Sequence, residues 1–164
     1  MPASDNIADI KCVWSIHCMQ TLESALRSFD KKANAHWWTG ERPNVRDGQI
    51  AKAIAGQIGL PTAATDPFDN GGMVRLDRPQ AAHVLAVAGA TSLAYGQPVP
   101  PSGALKEAKK ALDDLNDNAV FYSNGHWDEG SPLGWSPGTA ATFDCGVIGF
   151  DDKHAFIFWV EEAD

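Results

Sequence analysis

The residues best equipped for chemistry lie in one short run, Asn124-Gly125-His126-Trp127-Asp128-Glu129-Gly130-Ser131. It holds an imidazole, two carboxylates and an indole on a backbone loosened by two glycines. A histidine beside carboxylates is the equipment of a general acid–base hydrolase. Carboxylates beside an indole are equally the equipment of a protein-binding surface, where an aromatic anchors and charge steers. The surrounding stretch, 124–139, adds Trp135, Pro132, Pro137, Gly134 and Gly138 and reads as a long loop. Loops of that length without structure of their own are usually functional or disordered, and two tryptophans with large apolar surfaces argue against disorder. The competing reading is a connector pinned to the core by Trp127 and Trp135.

Other chemistries find less support. His126, Asp128, Glu129, Asp144, Asp151 and Asp152 offer hard ligands for Mg²⁺ or Ca²⁺, but no stretch has the alternating acids and central glycine of an EF-hand loop. Cys12, His17, Cys18 and Cys145 lack the paired spacing of a zinc site. No G-x-S-x-G elbow, Walker loop or G-x-G-x-x-G run is present. Cys145 falls in a strand pattern that buries it, and His83 falls in an Ala-rich helix as a structural residue. No catalytic residue, metal ligand or cofactor is therefore assigned.

Charge separates the chain into two parts. Residues 113–164 carry eleven carboxylates against the single cation Lys153, a net of −10. The preceding 112 residues are close to balance, and the whole chain stands at −8. That sign disfavours binding to nucleic-acid phosphates. No apolar run is long enough to span a bilayer, and no secretory leader pattern is seen at Met1–Asp5. Three cysteines, an odd number, suit a reducing compartment, so a cytoplasmic protein is expected.

The elements that must position these residues follow from periodicity. Leu22, Ala25, Leu26 and Phe29 form one helical stripe over Thr21–Ala33, closed at His36-Trp37-Trp38. Before residue 18 the pattern is double: Ile10, Cys12, Trp14 and Ile16 alternate as in a strand, yet Ile7, Ile10, Trp14 and Cys18 keep helical spacing, which is preferred. Further helices are expected over Asp47–Gln57, with Gly59 as its stop, over Gln80–Tyr95 after Pro79, and after a Ser102 cap. Met73–Asp77 and Ala119–Ser123 read as short strands. Thr142–Phe150 and Ala155–Glu161 read as a hairpin on a four-residue turn, Asp151–His154. Phe156–Val160 is apolar at every position, the mark of a strand covered on both faces.

Helices first and antiparallel strands last imply an α+β fold: about four helices packed on a small, mainly antiparallel sheet with a C-terminal β-hairpin. One domain is expected over 1–164, helical through 118 and acidic strand and loop from 119. Its size suffices to bury a core without disulfides or metal.

The profile is that of an acidic inhibitor module for a basic protein partner. A bacterial immunity protein masking the positively charged active site of a nuclease-like toxin has this character. Trp127, Asp128, Glu129, Trp135, Asp151 and Asp152 are expected to share the partner-binding face. The alternative is a small hydrolase using His126 and its neighbouring carboxylates.

Overall fold

The computed structural model describes residues 19–31, 34–69, 71–94, 99–127 and 134–163. Cys12, His17, Cys18 and the ambiguous segment before residue 18 lie outside them, as do Asp128 and Glu129. The fold is α+β. Four helices, α1 (Gln20–Asp30), α2 (Asp47–Gly56), α3 (Arg78–Ala90) and α4 (Ser102–Leu112), pack on a five-stranded sheet. Its strands are β1 (Ala35–Glu41), β2 (Val74–Leu76), β3 (Val120–Ser123), β4 (Phe143–Phe150) and β5 (His154–Glu162). They lie in the order β1-β5-β4-β3-β2, and every neighbouring pair is antiparallel.

The sheet is covered on both faces. Cys145, Val147, Phe156, Phe158 and Val160 point to one side, where α1, α3 and α4 supply Leu22, Leu26, Phe29, Leu85 and Leu112. Ile148, Phe150, Ala155, Ile157 and Trp159 point to the other, against Ile50, Ile54 and Ala55 of α2 and against Leu60. Covering of both faces is why β5 can be apolar without alternation. The C-terminal hairpin and the covered strand match the sequence reading: the last β4–β5 pair, Phe150 with Ala155, leaves the four residues Asp151–His154 between them, and His154 already pairs with Glu41 of β1.

Three expectations are corrected. Residues 1–118 are not wholly helical before the acidic region, because His36-Trp37-Trp38 are not a helix end but the middle of β1. The aromatic pair fits a strand because its members then face opposite layers: Trp37 packs on the three-helix side and Trp38 on the α2 side. The helix expected over Gln80–Tyr95 stops at Ala90, with Thr91 in extended backbone. Its start is well specified, since the Asp77 side chain accepts from Gln80 N and the Gln80 side chain accepts from Asp77 N, with Pro79 in the first turn. Ser102 is the first residue of α4 and not its cap; Pro101 holds the cap position. Gly59 stops α2 in the left-handed region, φ +78°, where residues with a Cβ are strained.

Candidate functional site

The tryptophan loop has an ordered stem. Gly125 and Trp135 form an isolated antiparallel bridge, and Ser136 N donates to Asn124 O at 2.7 Å. Gly125 has no room for a side chain, because a Cβ there would meet Gly134 O and Trp135. The Trp127 and Trp135 rings lie 5.3 Å apart at 31°, and Trp135 continues onto Phe143 at 5.6 Å. Trp127 is only 4% exposed, and its carbonyl oxygen is 2.8 Å from His83 Nε2. Both tryptophans thus belong to the three-helix side of the core, Trp135 half-buried at its rim. The pinned-connector reading describes 124–127 and 134–138. His126 is exposed, and among the described residues no hydrogen bond reaches its ring.

Behind the stem sits Asp144, fully buried on β4. Its Oδ2 accepts from Trp159 Nε1 at 2.8 Å, from Gly138 N at 2.8 Å and from Asn124 Nδ2 at 3.4 Å. One carboxylate oxygen therefore joins both ends of the tryptophan loop to β5. Burial raises the Asp144 carboxyl above its usual range, against the indole and backbone N–H donors that favour its charge; Glu161 nearby raises it further. Its Oδ1 is buried without a hydrogen-bond partner among the described residues, as is Trp127 Nε1. Cys145, on the opposite face, is a free, fully buried thiol, pushed well up by burial and by Asp144.

Asp151 and Asp152 lie at the other end of β4. The register sets Phe143 against Glu162 and Phe150 against Ala155, so seven residue steps, about 23 Å, separate the stem from the hairpin turn. The expected common face of Trp127, Trp135, Asp151 and Asp152 does not form, because an eight-residue strand stands between its halves.

Asp151 is buried and works internally. It accepts from Asn116 N at 2.9 Å, Lys153 N at 2.8 Å and His154 N at 2.7 Å. Burial works to raise its carboxyl, but these three backbone donors prevail and hold it below the usual range. Asp152 is exposed and accepts from Asn116 Nδ2 at 2.6 Å.

Other carboxylates of the acidic third are similarly spoken for. Asp114 accepts from Leu22 N at 2.8 Å and so satisfies a donor of the first turn of α1, whose own cap residue Met19 has no side-chain bond to offer. Glu162 takes Ser92 Oγ and Leu93 N, each at 2.7 Å, in the turn after α3. Glu161 meets His36 at 2.7 Å. Among the described residues of this third Asp113, Asp117 and Asp152 remain exposed, the first two on the turn from α4 into β3 and the last on the β4–β5 turn, and Asn116 joins the two turns through its bonds to Asp151 and Asp152. At Asp152 opens a cleft of about 520 Å³ between the β1–α2 connection and the hairpin turn, lined by Glu41, Arg42, Val45, Asp152, Lys153 and His154 among others. Arg42 fixes its floor: Nη1 donates to Asp151 O, Nη2 to Asp47 Oδ1, and the guanidinium lies 5.2 Å from the Phe150 ring centroid. Val45, 43% exposed, stands at its rim.

Sequence reasoning named Asp151 and Asp152 at this second end but missed the cleft and the Arg42 that floors it. The internal roles of Asp114 and Glu162 have no local signature, since their partners lie 69 to 92 residues away, and Asp151 adds to its local turn bonds a partner 35 residues back, Asn116 N. Among the described residues no three His, Cys, Asp or Glu side chains gather to hold a metal ion, and no helix is long and apolar enough to cross a membrane. Compared with protein-family models, curated proteins and solved structures, the chain matches none.

Proposed function

We propose that this chain is an acidic protein-binding inhibitor module, of the kind a bacterial immunity protein represents, acting on a basic, nuclease-like toxin by masking its active site. The observation that carries the reading is the exposure of Asp113, Asp117 and Asp152 on two turns joined through Asn116, with Asp152 also lining the Arg42-floored cleft. Three exposed carboxylates give a basic partner a target for steered encounter. The neighbouring Val45 and Pro43 give it an apolar edge to bury. A net charge of −8 adds a long-range field of the same sign.

The test is affinity capture of a stoichiometric partner from the source lysate, followed by rapid-mixing kinetics with the purified pair. Association should slow steeply as salt rises, and the triple change D113K/D117K/D152K should weaken binding by roughly a hundredfold, about 2.7 kcal/mol. A second arm reverses Asp128 and Glu129, next in sequence to Trp127. Loss of affinity there alone would move the docking surface to the loop. An affinity indifferent to both arms and to salt would refute the reading.

A further inference from the structure

We propose that the outer edge of β1 is a strand-addition site and that its occupant is a second copy of this chain, two β1 strands pairing antiparallel about a two-fold axis. The inference stands apart from the toxin-inhibitor reading.

The two borders of the sheet differ. β2 ends the sheet with three residues and is followed at once by Asp77-Arg78-Pro79. β1 ends it with seven residues, all in unbroken register with β5 and without a proline. Among the described residues no strand pairs with β1 except β5. A long, regular edge presents a row of donors and acceptors that a second strand can use.

The register of such a pairing follows from the existing ladder. Glu161 N donates to Asn34 O, and Arg42 N donates to Lys153 O, and both are directly opposed pairs of the β1–β5 register extended by one residue. Antiparallel ladders alternate bonded and non-bonded pairs. Asn34, His36, Trp38, Gly40 and Arg42 therefore direct their backbone groups to β5. Ala35, Trp37, Thr39 and Glu41 direct theirs outward. A two-fold axis perpendicular to the sheet keeps each layer on its own side. The register that uses all four outward residues sets Ala35 against Glu41 and Trp37 against Thr39 of the second copy, with Trp38 facing Trp38.

The side chains support that register. Trp38 is half-buried on the α2 side and would gain a cross-strand aromatic partner. On the helical side the charges are complementary. Glu23 Oε1 accepts from Thr39 Oγ1 at 2.8 Å, and the Arg27 guanidinium lies 5.1 Å from the Trp37 ring centroid. Opposing Thr39 to Trp37 across the axis brings Glu23 of each copy towards Arg27 of the other, twice per dimer.

Sedimentation of the full chain across the micromolar range decides the matter. The expected species has twice the 17.6 kDa chain mass. R27E or E23R alone should raise the dimer dissociation constant about tenfold, and the double change R27E/E23R should restore it. Thr39→Pro removes an outward N–H that the β1–β5 ladder does not use, and should give a monomer with an unchanged circular dichroism spectrum. A 17.6 kDa monomer at every concentration would overturn the proposal and leave the edge to another segment or a different partner. So would a dimer insensitive to Thr39→Pro.

Discussion

Trp159 Nε1 donates to Asp144 Oδ2 at 2.8 Å across the β4–β5 ladder, and that one bond sets the floor for the tryptophan loop. The indole lies over Gly146, its directly opposed residue, where a Cβ would collide with the ring. The carboxylate then has its remaining directions free to hold Gly138 and Asn124. Substitution at Asp144 separates its two jobs. D144A leaves the Trp159 N–H and the Gly138 N–H buried without an acceptor and should cost about 2–4 kcal/mol in urea unfolding. D144N keeps one accepting oxygen and no charge, and should cost much less.

The same residue predicts a pH dependence. The folded carboxyl of Asp144 titrates above its unfolded value, so the folded state holds that proton more tightly. Its contribution is stabilising below the unfolded pKa and declines as pH rises through the folded value. D144N should lack this component. Unfolding free energies of the two proteins, measured from mildly acidic to neutral pH, should converge towards the acid end and separate towards neutrality.

Asp151 carries the opposite sign. Its three backbone N–H donors hold the folded carboxyl below the unfolded value, so its stabilisation is present above the unfolded pKa and is lost as pH falls through the folded one. D151A should cost about 2–4 kcal/mol at neutral pH, because the N–H groups of Asn116, Lys153 and His154 lose their acceptor. The penalty should shrink on acidification. A D151A protein as stable as the parent at neutral pH would show that water replaces the carboxylate without loss.

Close packing of α3 on α1 gives another test. A Cβ at Gly89 would run into the Phe29 side chain, which itself meets Phe158 edge-on with ring centroids 6.1 Å apart. Gly89→Ala should destabilise by about 1–3 kcal/mol despite the better helix propensity of alanine, since overpacking outweighs propensity here. At Gly103, in the first turn of α4, nothing lies near an added Cβ, and Gly103→Ala should be neutral or slightly stabilising in the same thermal scan.

Much of the secondary structure was legible in local pattern. The α2 helix with its Gly59 stop, the Pro79 start of α3, the short β2 and β3 strands and the β4–β5 hairpin all carry their signals within a few residues. β1 was not legible, because Ala35–Glu41 lacks clean alternation: both of its faces are half-covered, and its partner β5 lies over a hundred residues on. Nor was the candidate site. Local sequence placed an acidic loop, an acidic turn and the strand between them, but not the distant donors that take Asp114 and Glu162 out of the exposed set.

Composition and periodicity by themselves determined that this chain folds as α+β, covers β5 on both sides, buries Cys145 and concentrates carboxylates in its last third. Those properties depend on which residues recur at which spacing, and spacing is written in the chain. Only the tertiary structure decided which carboxylates remain for a partner. Asp114 reaches α1, Asp151 closes a turn, Glu162 holds the segment after α3, and Asp144 pins a loop, because each found an unpaired backbone donor brought near by folding. A buried N–H without an acceptor is costly, and that cost, set for Asp114 and Glu162 by contacts distant in sequence, left Asp113, Asp117 and Asp152 as the solvent-facing acids among the described residues of the last third.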